Sequence, residues 1–479
     1  MSNRKNSVRD KLLLVISILI GMSYISVFMG LGIHVVCNVL IIAISYFVLL
    51  KFNSIYPVVF LILSARIING FTFGISVYGI MSILTSWLPS CIYILLNYKK
   101  INAQNFAKRK MVYIFLILTW VYFFLNYKEA MPLMSKQVAP ITLFCVFISG
   151  IINNSFFDDT KSLLIFFRIT FVTSLLIYLL PDYQERLDGL LVAGNVFGQS
   201  ADVLLEFKGF SRNCGLFFDH RLLGIFVVLY LYVMIRRYGF LNPIDLCISL
   251  FCILTTTSRG SIIPYAVLLI VYYYSKFKQK IKKQRGIIIV TTFSLLIAGL
   301  IIFDVIKSNE KVFDLVSTLD LTSENNALSQ RSVLSLYALN EFYHHPIFGT
   351  GLGVLTGYGH TNFALGDGLV TNAITDAYLF SLLAEMGIIG FICFVLSFYS
   401  IVVSKKDVYS LSLFLCFMIQ LTGTDLPNMF MFYFVMLLLL QHPDKTLTLE
   451  KLAIVASQHK LIHNYPRKFD KIHTTPLRR

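Results

Sequence analysis

The residues equipped for chemistry are arginines, histidines and carboxylates at the edges of apolar runs. In segment 211–224, Arg212, His220 and Arg221 sit where a polar stretch gives way to an apolar one. A guanidinium is a planar, permanently charged fork that grips phosphate oxygens in pairs. Two of them at a membrane surface suit an anionic lipid headgroup. Arg212 reads as such a contact, while Arg221, at a helix start, reads equally as an interfacial anchor. A second cluster, Thr255–Ser261, is wedged between apolar runs 243–257 and 260–274. Charge at membrane depth is costly, so Arg259 is either a functional group or part of a plain hairpin turn at the outer face. Arg331 opens a predicted helix, where the helix dipole opposes a cation. A bound anion would relieve both, and a solvated surface position is the other reading.

Two further clusters follow. Segment 344–353 carries Gly349, Gly351 and Gly353 after Pro346, and His360 comes next. The glycines resemble a phosphate cradle, but no strand precedes them and no Lys-Ser/Thr follows. They read instead as a turn that lets backbone approach the membrane or a sugar. His360 is either a general base or a loop histidine with no catalytic part. In segment 375–390, Asp376 heads an apolar helix as N-cap or first-turn acid. Glu385 lies about 13 Å further on by helical rise, at membrane depth. A carboxylate there must be neutral or paired with an arginine, and Arg66 and Arg168 are the partners open to it. A structural ion pair is the alternative reading for all three.

The elements that must position these residues are membrane helices. The chain is 57% hydrophobic and 14% charged, against about 25% charged residues in soluble domains. That cannot cover a water-soluble surface. The net charge of +16 does not point to nucleic acid, because the basic residues cluster at the ends of apolar runs, as in Lys276–Arg285. This is the positive-inside pattern, with attraction to anionic lipid. Eight cysteines show no paired spacing, so neither a disulfide framework nor a metal site is expected. With two tryptophans against 26 tyrosines, aromatic belts fall to tyrosine. The basic N-terminus before Leu12–Ile20 reads as a retained first anchor.

Fourteen apolar runs, several short of a perpendicular span, predict an all-α polytopic bundle of about 12–14 transmembrane helices. The expected organisation is a helical region over 1–303 with an outer loop at 182–219, then a large outer loop at 304–374. C-terminal spans at 375–441 and a basic cytoplasmic tail at 442–479 follow. Loop 182–219 has six acids against three basic residues, loop 304–374 seven against three, and the tail three against eight. Both termini are therefore placed in the cytoplasm. Within the large loop, 329–343 has apolar residues at helical period, ended by Pro346 and the glycines.

In this order the pieces resemble the bacterial O-antigen polymerase and O-antigen ligase superfamily. The resemblance rests on Arg212, Gly215 and Phe218, on Ser258-Arg259-Gly260, and on Arg331 ahead of the His-Pro-Ile-Phe-Gly-Thr-Gly-Leu-Gly run. Tyr378-Leu379 and Leu383-Ala-Glu-Met-Gly-Ile-Ile-Gly390 complete it. It covers about 205–400. It implies a metal-independent, cofactor-free glycosyltransferase of the bacterial inner membrane, acting in polysaccharide or lipopolysaccharide biosynthesis. The implied partners are the bilayer, an undecaprenyl-diphosphate-linked oligosaccharide and a chain-length regulator protein. Arg212, Arg221, Arg259 and Arg331 would grip the diphosphate, with His360 and Asp376 as the catalytic candidates. Ligases resemble one another in a His-Asn-x-Tyr-Leu-like element. Here the stretch reads Thr375-Asp376-Ala377-Tyr378-Leu379, which favours a polymerase, although His360 could supply the missing imidazole. A flippase or secondary transporter is the alternative of another class. Such proteins often show related halves, and none is visible here.

Overall fold

The computed structural model describes residues 2–71, 83–100, 110–131, 134, 138–146, 160–180, 182–183, 185–187, 206–207, 210–217, 220–238, 241–256, 258–281, 337–355, 364–365, 369–370, 378–403 and 408–421. The helices are α1 (Ser2–Phe28), α2 (Ile33–Phe52), α3 (Tyr56–Phe71), α4 (Leu88–Asn97, entered through a π-turn), α5 (Lys110–Leu125), α6 (Tyr127–Ala130) and α7 (Ala139–Val146). Then come α8 (Thr160–Tyr178), α9 (His220–Tyr238), α10 (Pro243–Thr255), α11 (Arg259–Ile281), α12 (Tyr378–Val402) and α13 (Val408–Leu421). Two short antiparallel pairs lie between helices. β1 (Glu206–Phe207) pairs with β2 (Phe210–Ser211), and β3 (Ala364–Leu365) with β4 (Leu369–Val370).

This is a helical membrane protein. Among the described residues, Ser7–Phe28, Ile33–Phe52 and Tyr378–Val402 are long and apolar enough to cross a bilayer, and eight shorter apolar helices accompany them. Without water, hydroxyls inside such helices must bond internally. Ser17, Ser64, Thr119 and Ser412 do so, each donating to the carbonyl four residues earlier at 2.6–2.9 Å. Helices packed side by side link α2 to α1, α1 to α8, α8 to α10, and α10 to α9 and α11. α13 bridges α11 to α12, and α12 packs on α5.

Two features of this packing shape the site. First, α9 and α11 run parallel. Gly224, one turn into α9, faces Ser261 near the start of α11 so closely that a Cβ at 224 would collide with the serine side chain. Small residues permit this approach. Beyond the other end of α9, the Leu241 N–H donates to the Tyr272 hydroxyl of α11 at 3.3 Å. Second, α12 is broken. Gly387 has φ 62° and ψ −168°, a region open almost only to glycine. The chain resumes as a second helix, and the segment that follows helical residues 337–344 docks into the break.

Candidate functional site

The site builds outward from Asn213, a fully buried side chain between α8, the β2–α9 connection and the α10–α11 turn. Its Oδ1 accepts from Ser174 Oγ of α8 at 2.7 Å and from the Gly215 N–H at 3.1 Å. Its Nδ2 donates to Thr255 Oγ1 at 3.1 Å, and its own N–H to the Thr255 carbonyl at 2.9 Å. Thr255 ends α10, and Arg259 opens α11 four residues later. The residue before Asn213 is Arg212. Its carbonyl accepts from the Tyr183 hydroxyl at 3.1 Å, and that hydroxyl accepts from the Cys214 N–H at 3.2 Å. Burial holds the Tyr183 phenol well above its usual range, so it stays a donor.

At its tip, the Arg212 guanidinium meets His220, the buried first residue of α9, with Nη1 3.2 Å from Nε2. A guanidinium has no acceptor, so the imidazole nitrogen must accept. The fork is thereby aimed at the start of α9. Arg221 follows in the first turn. Three of the four arginines that the sequence offers as diphosphate contacts therefore belong to one end of the α9–α11 pair, where two parallel helix N-termini meet. Both helix dipoles point their positive ends there, which favours an anion.

The remaining sequence candidates divide. Arg331, His360 and Asp376 lie outside the described residues, as do the side chains of Arg259 and Arg66. Arg168 does not partner Glu385. Its Nε and Nη2 hold Asp245 Oδ1 and Oδ2 at 2.8 and 2.7 Å, a bidentate pair joining α8 to α10. The reason is capping. Asn242 caps α10 at Ile244 N and Pro243 occupies the first helical position, so the first-turn acid faces inward against α8. The missed signal is that Asp245 is the sole acid between Asp219 and Asp304, standing at the head of an apolar run.

That pair carries a prediction. Removing one partner of a buried pair costs roughly 3–5 kcal/mol, but Arg168 is 42% exposed along its side chain, which lowers the figure to about 2–3 kcal/mol. Arg168→Ala and Asp245→Ala should each lower thermal stability in detergent by that amount. The double change Arg168→Met with Asp245→Leu should recover most of it. Additive losses in a double-mutant cycle would contradict the pair.

Glu385 is buried and has a backbone partner, its Oε1 accepting the Leu355 N–H at 2.8 Å. Around it the glycine-rich segment seals the break in α12. Thr350 and Gly351 N–H groups donate to the Ala384 and Glu385 carbonyls, each at 2.9 Å, and Ile388 N–H donates to the Pro346 carbonyl at 2.9 Å. Tyr122 of α5 donates to the Phe348 carbonyl at 2.7 Å. The turn read as approaching a membrane or a sugar instead approaches the backbone of α12. The exposed amides at the start of the second half-helix are occupied by the chain itself.

No curated protein and no solved structure matches the chain. Residues 246–395 match the family model described as O-Antigen ligase. The matched stretch runs from the first turn of α10 through Thr255, Arg259 and the glycine segment into the second half of α12, while Arg212 and Arg221 precede it. Over this segment the chain is similar to that family, which supports the resemblance to the O-antigen polymerase and ligase superfamily.

Proposed function

We propose that the protein is a membrane glycosyltransferase that polymerises polysaccharide repeat units. The donor is an undecaprenyl-diphosphate-linked glycan, and the acceptor is a sugar hydroxyl of another lipid-linked unit. The observation that carries the reading is the gathering of Arg212, Arg221 and the Arg259 turn at one end of the α9–α11 pair, inside or beside the family match. In the reaction the acceptor oxygen bonds to the anomeric carbon. The carbon–oxygen bond to the diphosphate breaks, and the diphosphate leaves with the electron pair. Guanidinium groups aimed at those oxygens stabilise the charge as it develops, so the arginines supply the neutralisation the leaving group needs. The acceptor proton passes to a base, for which His360 and Asp376 are the candidates. The reaction is assigned to the outer face of the bacterial inner membrane, with the chain termini inside and a chain-length regulator as protein partner.

The second reading, a ligase that moves finished glycan to lipid A-core or protein, is favoured by the description of the matching family. Thr375, standing where ligases carry histidine, weighs against it. The transporter alternative draws on the broken helix, since discontinuous helices build substrate sites in transporters. Here the break is filled by residues 346–351, which leaves its amides no substrate to bind.

A gel of surface polysaccharide from a strain lacking the gene separates the readings. Core bearing one repeat unit and no ladder is expected of a polymerase. Bare core, with full-length glycan held on its lipid carrier, would replace that reading with ligase. An unchanged ladder would overturn both.

A further inference from the structure

We infer that Asn213 is a positioning residue that sets the Arg212 segment in register with the turn leading to Arg259, and that its bond to Thr255 is the link through which it acts on diphosphate binding. The inference rests on the proposed function and adds a residue to it. Asn213 is fully buried, and its side chain reaches two separate elements. Towards α8 it accepts from Ser174, and α8 carries none of the residues proposed to bind diphosphate. Towards the α10–α11 turn it donates to Thr255 Oγ1.

The Thr255 hydroxyl is suited to this. Its proton goes to the carbonyls of Phe251 and Cys252 at 2.9 and 3.0 Å, leaving a lone pair for the Asn213 amide. Backbone contact between Asn213 N–H and the Thr255 carbonyl sets the two strands of chain side by side. The side-chain bond then fixes their slide, and with it the spacing between Arg212 and the Arg259 turn. A diphosphate held by forks on both segments senses that spacing directly, and displacements near 1 Å in such sites cost up to about 100-fold.

The two arms of Asn213 supply a paired test, with undecaprenyl diphosphate as the probe and the full-length protein in lipid nanodiscs. Thr255→Val keeps shape and removes one bond of Asn213, and Ser174→Ala removes the other. Both should lower the melting temperature to a similar extent. Thr255→Val is expected to raise the Kd for the probe about tenfold, Thr255→Ser to restore it, and Ser174→Ala to leave it within about twofold. Equal shifts in Thr255→Val and Ser174→Ala, or none in Thr255→Val, would overturn the inference. Arg212→Ala and Arg259→Ala, measured beside them, separate the causes. If they weaken binding while Thr255→Val does not, the inference alone falls. If they too bind normally, the functional reading falls with it.

Discussion

Arg212→Ala is expected to leave full-length protein in the membrane and to remove the polysaccharide ladder. Loss of one preorganised donor to a developing anion costs about 10²–10³ in rate, and chain length falls with every missed addition, so the gel should show short products only. The Arg212 backbone is fixed through Tyr183 and Asn213, and its tip through the neutral face of His220. The backbone bonds that fix the segment do not depend on the guanidinium, so Arg212→Ala should leave the fold in place. Arg259→Ala and Arg331→Ala should behave alike. Lysine at 212 should restore only part of the activity, because an ammonium offers a point charge in place of a planar fork. Membrane abundance by immunoblot and the ladder by gel are read on the same cells. Normal chain lengths in all three alanine variants would remove the arginines from the reaction.

The arginines were legible in the sequence because charge beside apolar runs is rare and has few uses. Helical class was legible for the same reason, since 14% charged residues cannot cover a soluble surface. Other features carried no such mark. Asn213 sits beside Arg212 in the same segment, yet an asparagine in a loop ordinarily reads as turn chemistry. Its role appears only when α8 and α10 are brought to either side of it. Asp245 was hidden by its setting, because an acid after Asn242-Pro243 satisfies the pattern of an ordinary first turn. Arg168 and Glu385 were both marked as buried charges in need of partners. The sequence left both Arg66 and Arg168 open as partners of Glu385. In three dimensions Arg168 and Glu385 each have a nearer solution, Asp245 for one and the Leu355 N–H for the other.

The glycine segment shows what spacing alone cannot decide. Gly349, Gly351 and Gly353 have φ of 73°, 115° and 84°, so the sequence signal for special backbone was sound. Its target was not written locally, because the partner glycine is Gly387, 34 residues beyond Gly353. Substitution there should have a large structural effect. An alanine at 387 would occupy a φ/ψ region that costs about 1–3 kcal/mol for a residue with a Cβ. That Cβ would also run into the Ile347 carbonyl oxygen, and one at Gly349 would meet the carbonyl of Glu385. Relief requires the 346–351 segment to withdraw, breaking the bonds of Thr350, Gly351 and Ile388 to their carbonyl partners and exposing those groups. Each buried group so orphaned adds about 1–3 kcal/mol. Gly387→Ala should therefore lose at least about 3 kcal/mol of stability in detergent, and the 337–355 region should become cleavable by protease while α1 and α2 remain protected. Gly32→Ala, where a Cβ meets nothing within 4 Å, should melt as the parent does. If Gly387→Ala matched that control, the break in α12 would not be clamped by the loop. The second half-helix would then have its amides open to a ligand, and the transporter reading would regain the feature that now counts against it.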